Sequence, residues 1–139
     1  MRMIRYLIAV LLAASSICSK AEVFTPVGTF SDLKCIESQG DVLGVEISFI
    51  PGFKDSRYEY YALVQFAEGV AAKPEYVPVK MVKDEFSFLV NYLGYFDVTV
   101  EGKISSDRLI GKISAPLKQE IELKRQVSFW NRGGSQCIR

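Results

Sequence analysis

Hydrolytic chemistry needs a base poised near neutrality, and histidine supplies it most often. This 139-residue chain contains no histidine. That absence removes Ser-His-Asp and Cys-His catalysis and most zinc sites. Carboxylate pairs remain as candidates for glycosidase-like acid/base work: Asp84 with Glu85, Asp97 with Glu101, and Glu120 with Glu122. Such a pair needs one member with a raised pKa inside a cleft. These acids instead alternate with apolar residues, which predicts a solvated face. Ser114 and Lys112 have no spacing that would make a nucleophile and base of them. Gly133-Gly134 has no following helix or lysine to cradle a phosphate. The chain is therefore read as non-catalytic, with no cofactor and no metal.

Tyrosine carries the positive message. Tyr58, Tyr60, Tyr61, Tyr76, Tyr92 and Tyr95 gather where strands start and turn. Exposed tyrosines offer rigid contact area with a polar tip, which suits interface anchors. Tyr61 falls on the Glu59 side of its strand, Tyr76 lies beside Pro78, and Tyr92 and Tyr95 flank a turn. Tyr58, Tyr61, Tyr76, Tyr92 and Tyr95 are thus the expected partner-binding residues, on loops at 51–58, 69–76 and 91–95. The competing expectation is that such rings cap the ends of a core. Stacking on sugars is a further use of aromatic faces, without a matching polar set here.

The N-terminal region points to where the chain works. Arg2 and Arg5 precede an apolar run over residues 6–14, followed by small and polar residues ending Ser19-Lys20-Ala21. This pattern predicts a signal peptide over 1–21 with cleavage after Ala21. The run is about half the roughly 20 residues that span a bilayer, so no stable membrane insertion is expected after cleavage. Ile17 before Cys18 is bulky and β-branched, which argues against lipid attachment at that cysteine. Cleavage removes three basic residues and no acid, so 17 basic against 16 acidic becomes 14 against 16, a net charge of −2. No basic face suggests nucleic acid as a partner. Cys35 and Cys137 remain, and an even pair in an exported chain predicts one disulfide joining the N- and C-terminal regions.

What must position these residues is a single domain, 22–139. Its signal is period-two alternation broken every eight to twelve residues by turn chemistry. Phe86, Phe88 and Val90 face one way; Phe96, Val98 and Val100 repeat the pattern after Asn91-Tyr92-Leu93-Gly94, a predicted hairpin connection. Further strands are expected at 31–37, at 42–50 (ended by Pro51-Gly52), and at 57–68. Others are expected at 75–83 (edge or bulged at Pro78), 109–114 and 119–126. About eight short antiparallel strands predict an all-β fold, with a barrel favoured over a sandwich because closure hides strand edges. An immunoglobulin sandwich would place its cysteines mid-domain around a core Trp. Here they lie near the ends, and Trp130 follows the last strand.

Together these features predict a periplasmic or secreted module that binds another protein. An inhibitor of a secreted or cell-wall enzyme fits, as does an immunity protein acting on a toxin. A carrier of a small apolar ligand, with Phe49, Phe66, Phe86, Phe88 and Phe96 lining a barrel cavity, is the alternative. An envelope structural component is the third.

Overall fold

A computed structural model describes residues 25–137, and the signal peptide predicted over 1–21 lies outside them. Nine antiparallel strands run β1 (Gly28–Ser31), β2 (Lys34–Ile36), β3 (Asp41–Lys54), β4 (Arg57–Ala71), β5 (Glu75–Val82), β6 (Glu85–Tyr92), β7 (Phe96–Ile104), β8 (Arg108–Ile113) and β9 (Gln119–Arg125). From β3 to β9 the chain is a simple meander. β1 pairs with β9 on one side and β3 on the other, closing an eight-stranded barrel. The barrel expected from regular alternation is therefore the fold. Closure leaves no full-length edge strand, which is the physical advantage of that architecture.

Alternation decides what fills it. On β3, β4, β6, β7, β8 and β9 every second residue turns inward, giving Ile47, Phe49, Val64, Phe86, Phe88, Val98, Val100, Leu109 and Leu123, all buried. Phe49 sits at the centre, its ring edge-on to Phe30 at 6.0 Å, Phe86 at 5.3 Å and Phe88 at 6.4 Å. Phe86 and Phe88 in turn stack on each other at 5.8 Å.

Three sequence expectations are corrected. The first strand divides into β1 and β2, because Asp32 interrupts the ladder: its carboxylate accepts the Val45 N–H at 2.7 Å. Gly44 makes room for that crossing. Its φ is +117°, and a Cβ there would lie 2.6 Å from the Asp32 carboxylate. The second correction concerns Pro51-Gly52, which does not end β3. The last β1–β3 pair is Gly28↔Phe49, so beyond it β3 has β4 as its single neighbour, and a missing proline donor can face the open side. Pro78 does not mark an edge strand, since β5 lies between β4 and β6; instead β5 pairs with β4 over 75–79 and with β6 over 80–82, so the β6-facing side is unladdered at Pro78. The Glu75 carboxylate bridges the resulting seam, accepting the Asn91 N–H at 3.2 Å.

The C-terminal segment lies on the outer face of β3 and β4. Two short 3-10 turns, Phe129–Arg132 and Gly134–Gln136, carry it there. Buried Glu46 accepts the Ser128 hydroxyl at 2.6 Å and the Phe129 N–H at 2.8 Å. Gln65 accepts the Trp130 indole N–H at 2.6 Å. Leu33, Val42, Ala67, Phe129 and Cys137 form a second, smaller core beneath. The Cys35–Cys137 disulfide predicted from the cysteine count is present and pins the tail, closing a span of 102 residues.

Candidate interaction site

The hairpin of β3 and β4 outruns the barrel wall. β1 leaves β3 at Phe49 and β5 leaves β4 at Tyr60, while β3–β4 pairing continues to Lys54↔Arg57. Three to five residues at about 3.3 Å each give a two-stranded ribbon projecting roughly 10–17 Å. Its turn is Asp55-Ser56, with φ of +50° and +64°. Two successive positive φ values match the twist of the flanking strands, the reason two-residue hairpins favour primed turns.

Alternation gives the ribbon two distinct faces. Phe53, Tyr58 and Tyr60 continue the inward-facing rows of the barrel toward and past its end; Tyr60 is half-buried there, while Phe53 and Tyr58 lie beyond the described core. Phe53 is 77% exposed and Tyr58 55%. Their rings meet edge-on at 5.7 Å, and Tyr58 meets Tyr60 at 5.2 Å. On the other face the Tyr61 ring covers Gly52, where a Cβ would lie 2.7 Å from it. Tyr61 stacks on Tyr76 at 4.9 Å with nearly parallel planes. The Tyr61 hydroxyl donates to the Glu59 carboxylate at 3.1 Å, and that bond is the main cause raising its pKa. Ile50, Leu63 and Pro78 extend this outer surface, all three exposed.

The predicted tyrosines thus separate. Tyr58, Tyr61 and Tyr76 all lie on the ribbon and the adjoining β3–β5 wall, Tyr58 on its inner face and Tyr61 and Tyr76 on its outer face. Tyr61 is half-buried by its stack on Tyr76. Tyr95 is 78% exposed but lies in the β6–β7 turn, at the opposite end of the barrel. Tyr92 departs from expectation. It shares the inward parity of Phe86 and Phe88, is 7% exposed, and lies 4.8 Å from the Phe66 ring. Its hydroxyl donates to the Glu68 carboxylate. Burial first, then that hydrogen bond, pushes its pKa up to about 12. Tyr92 closes the barrel end and offers no surface.

Phe53 was missed because it follows Pro51-Gly52, which read as a strand stop. The signal that could have found it was present: Pro51, Phe53 and Tyr58, Tyr60 keep the inward parity of Phe49 and Ala62 across a two-residue turn.

Asp84 is a half-buried residue of the β5–β6 turn, and the other carboxylate candidates lie on the outer wall. Glu85 pairs with Lys103, Glu101 with Lys112, and Glu122 with Arg108, each at 3.0 Å. Asp97 accepts from the Asn91 amide at 3.1 Å and is exposed, as is Glu120. The Ser114 hydroxyl accepts the Thr99 N–H at 2.9 Å, apart from Lys112. The paired charges border an open groove of about 920 Å³ across β5–β9, floored by Gly102 and Gly111. Neither glycine has room for a side chain: a Cβ on Gly102 would lie 2.2 Å from the Ile110 carbonyl oxygen. A smaller pocket of about 270 Å³ opens beside the seam, with Val64, Phe66 and Leu93 below and Lys73, Glu75 and Asn91 at its rim. It falls just under the ~300–1,000 Å³ typical of small-molecule sites.

Among the described residues no group of three or more His, Cys, Asp or Glu could hold a metal ion, and no helix is long and apolar enough to cross a membrane. Comparison with protein-family models, with curated proteins and with solved structures returns no match for this chain.

Proposed function

We propose that this is an exported, non-catalytic binding module for another protein, of the inhibitor or immunity type, and that the β3–β4 ribbon is its anchor. The observation that carries the reading is the pairing of two exposed aromatics, Phe53 and Tyr58, on a projecting ribbon with no core beneath them. Folding alone gives little reason to keep them there: a cross-strand aromatic pair contributes only about 0.2–1 kcal/mol. Large aromatics that become desolvated at an interface contribute far more, with hot-spot truncations costing about 2 kcal/mol or above. The filled, disulfide-pinned barrel supplies the rigid base that keeps the ordering cost of binding low. A disulfide also suits an oxidising compartment outside the cytoplasm.

The test is capture from the exported fraction of the source cells. The intact exported form, immobilised, is expected to retain a defined partner. F53A/Y58A should weaken that partner's Kd by about 30-fold or more, while the midpoint of thermal unfolding moves little. Retention unchanged by F53A/Y58A would remove the ribbon from the proposal.

A further inference from the structure

We infer that the partner receives the ribbon in an acid-lined cleft, with carboxylates on one wall and an apolar surface on the other; this rests on the binding reading above. The argument starts from Lys54 and Arg57. They are register partners across the turn, both exposed, and project from the same, outer face. Like charges directly opposite on a hairpin destabilise it. Elsewhere on this barrel Lys103 is matched with Glu85 and Lys112 with Glu101, and Arg108, although it lies opposite Lys124, is neutralised by Asp107 and Glu122. Lys54 and Arg57 enter no ion pair among the described residues. The neighbouring acids are Asp55 in the turn and Glu59 two residues along, and Glu59 is engaged by the Tyr61 hydroxyl. An unmatched cation pair at the farthest point of a projection is where an acidic partner would repay the repulsion.

The two faces then define the receptor. The outer face of the tip presents Lys54 and Arg57; the inner face presents Phe53 and Tyr58. A two-stranded ribbon is convex and narrow, so its complement is concave. A protein cleft with acids on one side and apolar residues on the other satisfies both faces at once. An anionic membrane would also welcome cations and aromatics. Recognition of acidic lipid generally takes four to eight clustered Lys/Arg, and this tip has two.

The experiment uses the intact exported chain, with the protein it retains as one probe and phosphatidylserine-containing vesicles as the other. K54A/R57A should weaken partner binding by about tenfold and K54E/R57E by about 100-fold, with a shallower dependence of Kd on salt than wild type. A photocrosslinker at position 53 should map to residues lining a cleft of the partner. Charge variants binding within twofold of wild type, while F53A/Y58A fails, would overturn this inference and leave the binding reading standing. Binding to the vesicles in place of a protein, or retention of no protein, would overturn both.

Discussion

Replacing both cysteines, C35S/C137S, should lower unfolding stability by about 4–5 kcal/mol. The bond closes a span of 102 residues, and on the chain-entropy model a loop near that size restrains the unfolded chain by roughly that amount. Native domains are stable by only about 5–15 kcal/mol, so the loss removes a large fraction. Urea denaturation should show it as a midpoint shift of roughly 3 M for a slope near 1.5 kcal/mol/M. The damage should begin locally. Cys137 belongs to the small outer core with Leu33, Val42, Ala67 and Phe129, so amides near Phe129 should lose protection before those of the barrel. A midpoint shift under about 0.5 M would mean that Glu46 and Gln65 hold the tail unaided.

Phe49→Ala should cost about 3–5 kcal/mol, the range for truncating a buried aromatic. The side chain is 1% exposed and touches three other rings from strands on opposite sides of the barrel. Those edge-on contacts add to the area term. Phe53 lies four residues along the same strand with the same parity, yet is 77% exposed. Phe53→Ala should cost under about 1 kcal/mol. Chemical denaturation of the two variants separates the filled wall from the projecting ribbon, and near-equal losses would contradict that division.

Much of this architecture is legible in the residue order. Phe86-x-Phe88-x-Val90 and Phe96-x-Val98-x-Val100 have one buried face each, and a one-residue slip would expose it, so their register is strongly specified. Regular alternation favours a barrel over a sandwich without deciding between them; the pairing of β1 with both β3 and β9 decides it. Less legible are features set by contacts distant in sequence. Asp32 divides the first strand only because Val45, thirteen residues on, brings an N–H to it. Pro51-Gly52 reads locally as a stop, but ladder partners decide where a strand ends, and β4 remains alongside. Tyr92 sits next to a turn and so resembles a surface residue, whereas Phe66 and Glu68 from another hairpin enclose it. Of the candidate site, Tyr58, Tyr61 and Tyr76 could be named from the sequence. Their separation from Tyr95 by the length of the barrel could not, because strand direction and order fix it.

The site's position on a hairpin tip fits the way a barrel divides its labour. Strand interiors are committed to the core, and a ribbon that outlasts its neighbours is free to carry large side chains that the core does not claim. The paired charges on β6–β9 are exposed, and exposed ion pairs contribute about 0–1 kcal/mol each. The unmatched tip differs from them in kind.

Hydrogen exchange on the intact chain, free and bound to its captured partner, tests the ribbon's role most directly. The account predicts new protection over residues 50–61 and on β5 around Tyr76, with the 93–95 and 114–118 turns unchanged. Protection confined to those distant turns or to the groove across β5–β9, with the ribbon exchanging as before, would contradict it.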